Sequence, residues 1–254
     1  MLGSYLSFLF FTIVCLVVIV SGLLFTRKKI IKNHHGQFEN QASAFLSVAG
    51  SLYAIVLGLI VANSLNDFQQ ARQNVQAEAT ALRNIYHMSS GLPDITQTQL
   101  KDTIIKYSDL VVNDEWKAMG NGCFSPMARQ KFISIWKIIA TFNPVSNAQE
   151  NMQSQLLNLI TEVSNARHNR LLASNRGYSP LIHCFLWLGG LITMTFTYFF
   201  YIKDLKLQIA MTVLVTLLIV FNLIMVEMFA YPFSGDVKIT PEAFIFTMNS
   251  FVSE

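Results

Sequence analysis

The residues of this chain best suited to chemistry are cations and scattered carboxylates. Their spacing points to holding or passing ions rather than to making bonds. Arg167, Arg170 and Arg176 gather with His168 near the end of a helical stretch. Cations there suit the negative end of a helix dipole. In a symmetric oligomer the same three arginines would instead form a positive ring at a channel mouth. Glu227 lies near the outer end of an apolar run; an ionisable group inside a span is functional by default, and the alternative is that Glu227 is shallow enough to reach headgroups or water. Pro232, Phe233, Gly235 and Asp236 form a turn near the C-terminus, and Glu242 follows six residues after Asp236. His34 and His35 are adjacent but have no carboxylate or thiol cluster beside them, so they read as part of a basic surface and no metal site is assigned. Cys15 and Cys184 sit in apolar runs as small hydrophobes, and Cys123 stands alone in a polar loop. No HExxH, Walker, GxSxG or paired-cysteine pattern is present, and neither His87 nor His168 has a nucleophile at readable spacing. The chain therefore reads as a non-enzyme without a cofactor.

The elements that must position these groups are set by composition. Of 254 residues 52% are apolar and only 13% charged, against about 25% in soluble domains. The deficit points to a membrane protein, and the net charge of +3 is too small and scattered to imply nucleic acid. The first span covers residues 3–25. It is uncharged and followed, not preceded, by Arg27, Lys28, Lys29 and Lys32, so it reads as an uncleaved span rather than a leader. Short basic loops stay cytoplasmic. Residues 26–42 are therefore expected inside, and the N-terminus outside. The second span runs over 44–64, the third over 180–202 with Gly189 and Gly190 allowing close packing, and the fourth over 208–230 with Asn222 inside it.

Residues 50–90 organise the rest. No proline interrupts them, and no glycine falls between Gly58 and Gly91. As one helix they would extend roughly 60 Å, twice the ~30 Å apolar layer of a bilayer. Within the span Gly50, Ala54, Gly58 and Ala62 recur every fourth residue and share one side. Such a ridge lets a second helix approach closely. It reads either as a helix–helix contact or as a pore lining, with Ser51, Ala54, Leu57, Gly58, Val61, Ser64 and Leu65 at pore or neck depth. After Ser64 an imperfect heptad takes over: Leu65, Phe68, Arg72, Val75, Ala79, Leu82 and Tyr86, with Ala71 as a substitute for Arg72. Glu78, within two turns of Arg72 and Arg83, reads as a solvated ion-pair partner.

Gly91-Leu92-Pro93 ends this rod. Asp94 is expected to cap a helix over 95–119, Ser125-Pro126 to open another to about 142, and Ser146 with Gln149 to box a last one over 147–174. The resulting fold is an all-α integral membrane protein of four transmembrane helices with a helical domain inserted between spans 2 and 3. Its parts are 1–64 (spans 1 and 2 with the basic loop), 65–178 (extramembrane head), 179–231 (spans 3 and 4) and 232–254 (tail with the PFSGD turn).

Several stretches together resemble the bacterial bestrophin-like membrane proteins: AGSLYAIVLGLIVAN (49–63), EATALRNIY (78–86), DEW (114–116), NARHNR (165–170) and PFSGDVKITPEAF (232–244). Bestrophins are pentameric anion channels with four spans and a large helical domain between the second and third, and the second helix lines their pore. The resemblance implies a homo-oligomer, pentameric by analogy, in contact with lipid and with inorganic ions. Bestrophins also place acidic residues that bind calcium after a Pro-Phe-Gly turn. Here Ser234 is inserted and Asp236 stands alone, too few oxygen ligands for that role. Bestrophins keep their domain and termini in the cytosol, whereas the basic loop here predicts head and both termini outside, in a bacterial inner membrane. Two functions are open at this point. One is an oligomeric ion channel, anion-conducting, with span 2 lining the pore. The other is a non-conducting membrane-anchored scaffold or sensor with an external binding head.

Overall fold

A computed structural model describes residues 2–29, 39–175, 177, 179–199, 202–235 and 237–252, with the backbone alone at 2–5, 39–46 and 252. His34, His35, Arg176 and Asp236 lie outside the described residues. Every regular element among them is helical: α1 (Leu2–Lys29), α2 (Glu39–Met88), α3 (Asp94–Leu110), α4 (Trp116–Met119), α5 (Pro126–Thr141), α6 (Asn147–Ser174), α7 (Pro180–Phe196), α8 (Leu205–Ala230) and α9 (Glu242–Val252). A π-helical turn, Val111–Glu115, joins α3 to α4. Four of these helices, α1, the earlier part of α2, α7 and α8, are long and apolar enough to cross a membrane. The chain forms two compact units, Met1–Asn66 with Gly177–Ala230, and Asp67–Arg176 with Tyr231–Glu254. Helix α2 contributes its earlier residues to the first unit and its later residues to the second.

In the first unit α1 packs on α8 and α8 on α7. Ile19, Leu23, Leu186, Leu223 and Val226 form the core, and α2 adds Leu57. The glycine pair of α7 has a physical reason. A Cβ on Gly189 would stand 2.5 Å from the Tyr53 ring, and one on Gly190 2.9 Å from its hydroxyl. Only glycine leaves room for that ring, whose hydroxyl donates to the Leu186 carbonyl at 2.8 Å. At the end of α1, Arg27 donates to the Ile202 carbonyl at 2.9 Å and to the Gln208 side chain, so one basic residue fastens α1 to the start of α8.

The second unit is built on the later half of α2. Ala71, Val75, Ala79, Leu82 and Ile85 are all buried in it, and Ala71 does substitute for the exposed Arg72 in the stripe. Helix α3 packs on α5, α5 on α6, and α9 on α3 and on the π-turn. Capping follows the sequence closely at two helices. The Ser125 hydroxyl accepts from the Ala128 amide ahead of Pro126. The Ser146 hydroxyl accepts from the Gln149 amide at 3.3 Å, while the Gln149 side chain accepts from the Val145 amide at 2.9 Å. At α3 the expectation needs correcting. Pro93 occupies the cap position and Asp94 is already helical, with no side-chain cap bond. Its carboxylate still favours the positive end of the helix dipole.

Candidate functional site

Two features of α2 bear on function, one in each unit. In the first unit, Ser51, Ala54, Gly58, Ala62 and Leu65 are all exposed, and the space beside Gly58 holds nothing within 4 Å of a would-be Cβ. Gly50 and Val61 are half-buried at the margin of this face. Leu57, at 5% exposure, and Ser64, fully buried, lie about a third of a turn round the helix from Gly58. At 100° per residue they fall with Tyr53 on the side turned to the other spans. The Ser64 hydroxyl donates to the Ile60 carbonyl at 2.7 Å. The candidate neck residues therefore do not share one face: Leu57 and Ser64 are core groups of their own unit. Of the ridge, Ala54, Gly58 and Ala62 are uncovered by the rest of the unit and Gly50 is half-buried.

In the second unit a charged network is sealed inside the helices. Arg170 of α6 is completely buried. It donates through Nε to Glu78 Oε2 at 2.7 Å and through Nη2 to Glu78 Oε1 at 3.0 Å and Glu115 Oε2 at 2.8 Å. Arg167, one turn earlier, pairs with the other oxygen of Glu115. The Tyr107 hydroxyl donates to Glu78 Oε1 at 2.5 Å. The rings of Trp116 and Phe244 lie 5.6 Å and 5.7 Å from the Arg170 guanidinium. Two arginines face two glutamates, so the group is electrically balanced, as burial of charge requires. Burial opposes the Arg170 charge, but Glu78 foremost, together with Tyr107 and Glu115, outweighs it and raises the guanidinium pKa above its ordinary value. Burial, reinforced by Glu78, pushes the Tyr107 phenol well above its usual range.

This placement corrects the reading of the arginines. Arg167 and Arg170 were expected as helix-end or channel-mouth cations. They are buried ion-pair partners in the single chain, and association can only bury them further. Neither presents charge to a mouth. Glu78 is likewise not a solvated partner of Arg72 and Arg83. A signal for it was available: Ala71, Val75, Glu78, Leu82 and Ile85 keep steps of four and three, so the acid occupies an apolar stripe. Glu115 had weaker notice, since its burial depends on the π-turn, which no propensity marks.

The C-terminal turn is drawn in as well. Phe233 packs edge-on against Trp116 with ring centroids 5.7 Å apart. The Ile239 amide donates to the Pro232 carbonyl at 2.8 Å, and Trp116 Nε1 donates to the Ile239 carbonyl at 3.2 Å. Gly235 takes φ +78°, a left-handed conformation that glycine adopts freely. Phe233 of this turn thus serves the second unit's core, while Asp236 lies outside the described residues.

The profile of the bestrophin-like domain matches residues 13–244. The chain belongs to the bestrophin-like family. No curated protein matches it by sequence, but solved structures do by fold. A single-residue variant of a bacterial bestrophin homologue from Klebsiella pneumoniae is 13% identical, with a TM-score of 0.73 over 96% of this chain and 99% of that one. A second variant of the Klebsiella pneumoniae homologue, also 13% identical, reaches 0.75 over 94% and 97%. A membrane protein variant at 11% identity reaches 0.75 over 96% and 97%. At such identities the likeness is one of fold.

Most of the stretches that carried the resemblance meet at the buried network of this bestrophin-like chain. EATALRNIY supplies Glu78, DEW supplies Glu115 and Trp116, NARHNR supplies Arg167 and Arg170, and the last stretch supplies Phe233 and Phe244. The Asp114 of DEW accepts from the Ser125 hydroxyl, the same hydroxyl that caps α5.

Near the end of α8, Glu227 lies 3.5 Å from His183 of α7. Asn222 is turned back on its own helix and donates to the Leu218 carbonyl at 2.8 Å.

Proposed function

We propose that the chain is one subunit of an oligomeric membrane ion channel, anion-conducting, in which the apolar half of α2 lines the central path. The observation that carries this reading is the uncovered small-residue face of α2: Ser51, Ala54, Gly58 and Leu65 are exposed, and within residues 51–65 only Leu57 and Ser64 are buried by the unit. A small, partly hydroxylated face suits close approach of helices or passage of a hydrated ion. Family membership supports the same reading, since bestrophins are anion channels with their second helix at the pore. Leu65 is the constriction candidate and Val61 its partner at the margin. A pentamer is the expected ring by resemblance.

Under this reading the second unit is an extramembrane helical head, inserted between spans 2 and 3 and joined by the tail. The basic stretch Arg27 to Lys32 supports a topology with residues 26–42 in the cytoplasm of a bacterium, and the head and both termini outside its inner membrane. Cys123 is an exposed thiol and reports the orientation. A membrane-impermeant maleimide should label it in spheroplasts from which the outer layers have been removed, in a background lacking Cys15 and Cys184. Labelling only after lysis would reverse the topology.

The deciding experiment is single-channel recording of the purified full chain in planar bilayers. Leu65→Ala should enlarge the unitary current. No conductance from the wild type at any voltage or pH would overturn the channel reading. Cysteines placed at Ala54 or Gly58 should cross-link around a ring rather than into dimers alone.

A further inference from the structure

Within the second unit a cavity of about 250 Å³ opens between α2 and the segment leading into α9. Its cations come from two separate parts of the chain, Arg72 of α2 and Lys238 of the tail. Both are exposed, and neither has an ion-pair partner among the described residues. The two arginines buried in this unit, Arg167 and Arg170, are matched to carboxylates instead. The acid at the cavity, Glu242, is the first residue of α9, where its charge is already engaged with the positive end of that helix. Beneath the cations lie Val75 and Ile239, at 2% and 7% exposure.

The cavity is also held in shape. Ile239 is fixed through its amide to Pro232 and through its carbonyl to Trp116, which sets the neighbouring Lys238 against α2. Arg72 stands on a helix whose next turn is core. A site whose backbone is fixed in advance loses less freedom on binding. Arginine offers a fork of donors and lysine a point charge, the pair of chemistries that recognise phosphate oxygens.

We propose that this cavity binds a phosphate-bearing anion between Arg72 and Lys238, clamping the tail to the long helix. The phosphate has two possible sources, free in solution or carried as the headgroup of an anionic lipid. The chemistry is the same in both, and nothing in it requires the protein to conduct.

The test uses the full chain and reads hydrogen exchange of the amides at 237–243. Inorganic phosphate is titrated into detergent-solubilised protein. In parallel, nanodiscs of phosphatidylcholine are compared with nanodiscs containing phosphatidylglycerol. The expected result is slower exchange in one of the two series. Arg72→Gln and Lys238→Gln should each weaken the apparent affinity about tenfold, the order expected for one charge-assisted contact. Glu242→Gln should strengthen it, and thermal unfolding of the two cation variants should stay at the wild-type midpoint. Protection by phosphate in detergent identifies a soluble anion; protection in phosphatidylglycerol nanodiscs alone identifies a lipid headgroup. Unchanged exchange in both series, or equal protection in the two cation variants and the wild type, would overturn the site. The readout is binding and not current, so failure here is separate from failure of the channel reading.

Discussion

The two halves of α2 are treated in opposite ways by their own chain. Before residue 66 the helix is apolar, yet most of its large side chains, Val48, Leu52, Ile55, Val56 and Leu59 among them, are exposed. After residue 67 the helix is polar on average, yet Ala71, Val75, Glu78, Leu82 and Ile85 are buried. Hydrophobicity and burial are thus inverted along one rod. In water this would be unstable, because exposed apolar area costs about 25 cal/mol per Å². In a bilayer the first half needs no cover from its own chain, since lipid is as apolar as leucine. The second half has to build its own core, and that core includes four charges.

The comparison breaks most sharply at its most buried charge. Arg170→Ala leaves Glu78 and Glu115 without their shared partner, and should destabilise the second unit by about 3–5 kcal/mol. Unfolding followed by tryptophan fluorescence should show it, through Trp116 beside the network. A loss under about 1 kcal/mol would mean that the network is relaxed or hydrated.

In the first unit the largest effect should come from shape, not charge. Gly190→Val puts methyls where the Tyr53 hydroxyl and an Ile219 methyl already stand at 2.9 Å and 3.1 Å from a Cβ. Overpacking of this kind costs about 1–3 kcal/mol. A lowered thermal midpoint in detergent would support the close approach of α7 to α2; a wild-type midpoint would not.

Tyr107→Phe is a finer probe of the buried charges. Glu78 loses one donor of three and keeps Arg170, so the cost should be about 1 kcal/mol at neutral pH. The pH dependence carries a sign. The folded phenol pKa is raised above the ordinary 10.0, so the folded state holds its proton where the unfolded state releases it. Stability is fully present below pH 10 and falls as pH rises through and beyond that value. The Tyr107→Phe variant should lose that alkaline slope, measured as denaturation midpoint against pH from 8 to 11.

The smallest effect on a single subunit is expected at Gly58→Ala. Open space beside the glycine predicts a change within about 1 kcal/mol, in the stabilising direction set by helix propensity. Any larger consequence must then appear in association, as a shift in oligomer mass by light scattering. No shift in mass would argue that the ridge faces lipid.

Much of this was legible in the sequence. The run of apolar residues without charge marked the spans. The uninterrupted stretch from Gly58 to Gly91 marked the long helix, and Ser125 and Ser146 marked their caps, because each signal is local and acts within one turn. The candidate sites were less legible. Leu57 and Ser64 looked equivalent to Gly58 by depth, and their direction depends on which side α7 and α8 occupy. Arg167 and Arg170 looked like surface cations because their helix is polar on average.

Sequence by itself determined the class, the four apolar helices, the rod and the family, since length, hydropathy and turn chemistry are properties of neighbouring residues. Tertiary structure alone decided that Glu78, Glu115, Arg167 and Arg170 meet. Those residues are separated by up to 92 positions, and an isolated charge cannot enter a core unless its partner arrives with it. Which charges are buried is therefore a property of the pairing, and it became readable only once the helices that carry them were packed together.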